Sequence, residues 1–243
     1  MAVVFPRALL REKSHSWNLA STAATPGVAR TVAMVVRSDG GGFWTCTMSD
    51  VSLGARRHEA GRDRQRNATL LWRAVRQLAN GGASLMVVPR NDALFVPWPA
   101  GIARGVIAIP HGDGTAFDDT TEYEQPVIDI RSDAASLRDT VLTLTIARAG
   151  SLRGGECFSI LHPSAGWRMY EIGAVTYASP TRAAIRFNPP LRDDVAAGTV
   201  LEFDRPRCTM RLAAPNAMDL AVQPWTFNAA SVQFVEGFDD QLQ

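Results

Sequence analysis

Six short runs of strand type follow one another at close and fairly even spacing: residues 127–130, 141–146, 157–161, 168–176, 183–187 and 199–203. Turn residues separate them. Segments this short bury their apolar side chains only by pairing edge to edge and curling together. The pattern therefore predicts a small antiparallel barrel or sandwich in this part of the chain. Pro-bearing joints flank it, "PWPAGIARG" from Pro97 on one side and Arg205-Pro206-Arg207 on the other.

The residues before the first joint have a different character. "VARTVAMVV" at 28–36 is β-rich, and "RSDGGG" after it is a turn signal. "FWTCTMSDVSL" then alternates, with Phe43, Thr45 and Thr47 on one side and Trp44, Cys46 and Met48 on the other. Strand, glycine turn and strand predict a β-hairpin. In the next stretch Leu71, Val75 and Leu78 recur at helical spacing with Ala74 beside them, Asn67 can cap a start, and Gly81 sits at a stop. This predicts the main helix, with a start at Asn67 or earlier, near Arg62. "ASLMVVPRND" reads as a buried strand closed by Pro89.

After the second joint, residues 208–212 and "WTFNAASVQFVEGF" are again strands, the latter carrying Trp225, Phe227, Val232 and Phe234. Some thirty residues are too few for a domain of their own. They are expected to return to the N-terminal part and add strands to it. The expected domains are then 1–96 with 206–243, and an inserted barrel at 97–205. The rival arrangement is two consecutive domains with a disordered tail, and the aromatic density of residues 225–238 argues against it.

Composition sets few further limits. With 243 residues the chain makes one large domain or two small ones, and its net charge of +1 gives no overall field toward nucleic acid or membrane. The opening "MAVVFPRALLREK" is broken too soon by Pro6 and Arg7 for a secretory signal, and no apolar run reaches the length of a membrane span. Cys46, Cys157 and Cys208 are far apart and odd in number, which suits free thiols in a reducing cytosol; one disulfide with a leftover thiol is the alternative.

No local motif announces chemistry. His15, His58, His111 and His162 are scattered, the cysteines form no C-x-x-C pair, and no nucleophile elbow or phosphate-binding glycine loop is present. No catalytic residue, metal ligand or cofactor is assigned. His162, Asp129 and Ser164 are the best residues for a hydrolase, but their spacing does not support one. The acidic stretch with Asp113, Asp118, Asp119, Glu122 and Glu124 lacks the ligand spacing of an EF-hand and reads as a solvated loop. The strongest charge signal is Arg56, Arg57, Arg62, Arg64 and Arg66, continued by Arg73 and Arg76. It reads as a solvated face, as a contact with an acidic surface of a neighbouring subunit, or as a nucleic-acid contact. Trp167 and Tyr170, close to His162, form a candidate stacking surface for sugar rings. A carbohydrate- or ligand-binding barrel is thus one functional reading.

A second reading comes from a resemblance. "WRAVRQLANGGASLMVVPRND", with Trp72, Arg73, Ala74 and Leu78 followed by a strand and Asn91-Asp92, is similar to the helix-then-strand segment of distal tail proteins of long-tailed phages and gene transfer agents. "GECFSI", "YEIGAVTY" and "AAIRFNPPLRDDVAAGTVLEFDRPRCTMRLA" follow in the order found in the second half of those proteins, and "WTFNAASVQFVEGF" resembles their terminal aromatic strand. The resemblance covers most of the chain after about Val28 and rests on the order of the segments. It implies a mainly β fold with one main α-helix: a ring-forming β-sandwich core with an inserted small, OB-like β-barrel. It implies a non-enzymatic virion protein of the tail tip or baseplate, assembled in the host cytoplasm as a homo-oligomer, a hexameric ring. The implied partners are the tail tube protein, the hub and fibre proteins and the tape measure protein. No membrane is involved, and nucleic acid is met only in passing through the lumen. Phe43, Trp44 and the arginines from Arg56 to Arg76 are the subunit-interface candidates read from the residues themselves; the arginine cluster is a departure to which the resemblance gives no role.

Overall fold

The computed structural model describes residues 3–20, 41–53, 59–92, 94–100, 106–109, 123–221 and 229–238. In chain order the elements are β1 (Val3–Val4), β2 (Ser14–Ala20), β3 (Phe43–Ser52), α1 (Glu59–Leu78), a 3-10 turn (Asn80–Gly82), β4 (Met86–Pro89), β5 (Val106–Ile109), β6 (Tyr123–Pro126) and β7 (Asp129–Ser132). Then come β8 (Val141–Arg148), β9 (Cys157–His162), β10 (Gly166–Ser179), β11 (Arg182–Asn188), β12 (Arg207–Leu212) and β13 (Ala229–Glu236). The chain is mainly β with one main helix. It divides into two compact units, residues 1–90 with 164–168 and 207–243, and residues 91–163 with 169–206.

The first unit is built on a six-stranded sheet in the order β1-β4-β12-β13-β3-β2, parallel between β1 and β4 and antiparallel elsewhere. Strand β13 lies between β3 and β12, so strands from both ends of the chain share one sheet. Alternation explains the burial: Trp44, Cys46 and Met48 of β3 face inward. The alternation slips by one at Asp50, whose φ of 52° is left-handed, and Val51 takes the next inward place. In β13 the inward positions are Ala230, Val232, Phe234 and, unusually, the carboxylate of Glu236. β12 is central and buries Cys208, Thr209 and Met210 in succession, so both of its faces are covered.

Two expectations change here. Both edges of β3 are taken, by β2 over Phe43–Ser49 and by β13 over Thr45–Ser52, so the glycine-turn hairpin is not the pairing observed; its first strand, 28–36, lies outside the described residues. The helix begins at Glu59, and Asn67 is an exposed mid-helix residue. An asparagine helps only where a helix starts, and nothing in its side chain fixes that start. The buried face is Trp72, Val75 and Ala79, while Leu78 is 52% exposed. Trp72 donates from Nε1 to the Met218 carbonyl at 3.2 Å, which ties α1 to the turn after β12.

The second unit holds a five-stranded sheet, β7-β8-β11-β10-β9, curled into a half-barrel, and a separate β5-β6 pair. Leu142, Leu144 and Ile146 of β8 and Ala183, Ile185 and Phe187 of β11 point inward, with Thr143, Thr145, Ala184 and Arg186 between them. Phe158 stands at the centre, its ring 5.4–5.7 Å from those of Tyr170, Phe187 and Phe203. Each such aromatic pair contributes about 0.5–1.5 kcal/mol beyond area burial. The expected strand at 199–203 is not a continuous one. Leu201 donates its N–H to Ile130 of β7, while Glu202 exchanges both backbone bonds with Ser159 of β9. The segment serves the two edge strands in turn and so makes isolated bridges to each.

Candidate functional site

The interface residues expected from the sequence fall into different environments. Phe43 opens β3 half-buried, opposite Ala20. Trp44 is buried, its ring edge-on to Trp17 at 6.5 Å, so it packs within the unit instead of presenting a surface. Arg56 and Arg57 lie outside the described residues, and Arg62 lies on α1 in a part whose side chains are not described. Arg64, Arg66 and Arg73 are exposed, and Arg76 reaches Asp219 at 3.8 Å. Arg66, Leu70 and Arg73 share the outward face of α1 by helical spacing, while Leu78 lies round toward its flank; both leucines are about half exposed, at 49% and 52%. This apolar and basic face is the arrangement that the arginine pattern alone did not reveal. β1 and β2 are the edge strands of the sheet among the described strands.

Two polar clusters lie inside the first unit. Arg7 donates to Glu12 and to the Pro89 carbonyl and contacts His15 Nδ1 at 2.9 Å, which fastens the N-terminal segment to the end of β4. Near it, burial pushes the Cys46 thiol from its ordinary 9.0 up to about 12; Arg7 and Arg90 oppose the shift and Glu12 adds to it. All three cysteines are buried and none is in a disulfide. In the second cluster Arg168 meets Glu236 at 3.4 Å, and the other Glu236 oxygen accepts the Trp44 N–H at 3.0 Å.

The two residues expected to stack on sugars do not form one platform. Tyr170 is fully buried among Phe158 and Phe187, its hydroxyl 2.7 Å from His162 Nε2 and accepting the Arg192 N–H. Trp167 is half-buried beneath the Arg207 guanidinium, 4.9 Å from its centroid. Strand alternation is the reason: positions three apart on β10 point to opposite faces. Asp129 accepts from Arg131 at 3.0 Å, and Ser164 is exposed. Among the described residues no group of three or more His, Cys, Asp or Glu side chains could hold a metal ion, and no helix is long and apolar enough to cross a membrane. Most of the acidic stretch, including Asp113, Asp118, Asp119 and Glu122, lies outside the described residues.

The second unit also carries two adjoining depressions, of about 710 and 480 Å³, that share the wall Ala149-Gly150-Ser151. Phe95, Trp98 and Tyr177 line them. None stood out in the sequence, since Phe95 and Trp98 sit at the start of a proline-rich joint and Tyr177 just after an ordinary strand run.

No protein-family model matches this chain, and no curated protein matches it.

Proposed function

We propose that this chain is a structural virion component, a distal tail protein that forms a ring between the tail tube and the hub or baseplate. The observation that carries the reading is the place of β13 between β3 and β12. With β12 also paired to β4, the chain leaves this sheet after β4 and re-enters it at β12, which is the chain path the resemblance implies. The outward face of α1, with Arg66, Leu70 and Arg73, supplies a patch suited to a head-to-tail contact that closes by rotation. The sheet edges at β1 and β2 offer strand addition to neighbours. In this reading the ring is a hexamer, its neighbours are the tube, hub or fibre and tape measure proteins, and its place is the virion tail.

Light scattering on the purified chain across a concentration series tests this. The expected mass is that of six 26.3-kDa chains. A monomer that persists at the highest concentration, and does not bind a tail tube protein, overturns it.

A further inference from the structure

We infer that the second unit carries an oligosaccharide-binding groove built around Phe95, Trp98 and Tyr177. This inference does not depend on the ring reading. The larger depression lies between two loops, residues 94–100 and 149–156. Its shape is fixed by backbone contacts: the Gly150 N–H donates to the Pro97 carbonyl at 2.8 Å, and a Cβ at Gly150 would collide with the Trp98 carbonyl oxygen. Phe95 is held in a turn by its N–H bond to Asp92. The groove is therefore formed before any ligand arrives.

Its rim leaves large apolar groups in water. Leu94 is 90% and Phe95 71% exposed, while Trp98 is half-buried and packs partly on the unit's core. Across the low wall of Ala149, Gly150 and Ser151, Tyr177 presents its ring in the smaller depression beside Ile146 and Pro180. The phenol is fixed because its oxygen accepts the Leu152 N–H at 2.6 Å. Polar groups line both depressions: the Ser151 hydroxyl on the shared wall, the exposed Arg153 in the larger, and in the smaller the Ser179 hydroxyl, which also accepts the Thr181 N–H at 3.3 Å. The Glu156 carboxylate is engaged with the Arg153 and Gly154 N–H groups, which holds the loop.

This combination selects a ligand class. A pyranose has C–H faces that stack on aromatic rings and hydroxyls around its rim for serine, guanidinium and backbone partners. The small residues of the dividing wall let a chain of such rings pass from one depression to the other. A nucleic-acid strand calls for a basic track, and among the described residues the lining holds Arg153 beside the carboxylate of Glu156. An extended peptide calls for an open strand edge, and the walls of the larger depression are loops.

The test begins with the full chain on a printed array of neutral hexose, hexosamine and uronic-acid oligosaccharides. Calorimetry with the best-bound oligosaccharide then compares wild type, Phe95→Ala, Tyr177→Ala and Trp167→Ala. Expected are binding by the wild type, weakening by about tenfold or more in Phe95→Ala and Tyr177→Ala, and no change in Trp167→Ala. Phe95 is exposed, so its variant keeps the wild-type melting curve even if Tyr177→Ala does not. Absence of any array signal overturns the inference, as does binding that survives Phe95→Ala. Loss of self-association in Phe95→Ala with glycan binding intact assigns the groove to a neighbouring copy and also overturns it.

Discussion

Arg168 and Glu236 meet at 3.4 Å with their side chains almost wholly removed from water. Arg168 also donates to the Gly237 carbonyl at 2.6 Å and lies 5.3 Å from the centroid of the Phe238 ring. Glu236 is the last inward position of β13, so alternation alone carries a carboxylate into the interior, and Arg168 answers it. Removing one partner leaves a buried charge uncompensated. Glu236→Ala is expected to lose about 3–5 kcal/mol in urea unfolding, and Arg168→Met with Glu236→Leu to recover much of that loss.

The two faces of α1 are expected to respond in opposite ways. Trp72 is fully buried and hydrogen-bonded, so Trp72→Ala is predicted to cost about 3–5 kcal/mol of stability. Leu70→Glu with Leu78→Glu is predicted to change the unfolding midpoint little, because both side chains are half exposed. The same double variant should shift the light-scattering mass toward the monomer if this face joins neighbours. Denaturation and light scattering on the two proteins check both statements.

How far the sequence carried depended on which signal was strong. Strict alternation gave β8, β11 and the C-terminal strand, because period two leaves little freedom about which side chains turn inward. The helix was visible, but its phase was not. Leu78 matched the apolar spacing yet faces outward, while Ala79, too small to mark a core, is buried. Residues 199–203 have a strand's pattern, yet they divide their hydrogen bonds between β7 and β9, which depends on how the sheet curls. Trp167 and Tyr170 are close in sequence, yet three positions along a strand put side chains on opposite faces, and Tyr170 is buried. The groove was hidden for a different reason: Phe95 and Trp98 lie about eighty positions from Tyr177 in the sequence, and they are brought together through the loop whose Gly150 bonds Pro97 and whose Leu152 bonds Tyr177.

Cys46 makes stability fall at high pH. Its folded pKa is raised from 9.0 to about 12, chiefly by burial, so the unfolded chain releases this proton first. The contribution is fully present below about pH 9 and is lost as pH rises toward 12, with a slope of about 1.4 kcal/mol per pH unit in between. Urea unfolding of wild type and Cys46→Ala across that window should give the steeper decline for the wild type. In native protein at pH 8, the Cys46 thiol should stay unreactive toward a disulfide reagent until urea is added.

Gly150 is expected to tolerate no side chain. The methyl group of Gly150→Ala would meet a backbone oxygen, that of Trp98, and backbone yields less readily than a flexible side chain. The predicted cost is about 1–3 kcal/mol, with the two loops forced apart. Thermal unfolding of Gly150→Ala against wild type measures it.

The most direct test of the ring account is electron microscopy of the purified chain. The account predicts class averages of a closed ring with sixfold symmetry around an open centre. Class averages showing isolated single copies, or open filaments without closure, would contradict it.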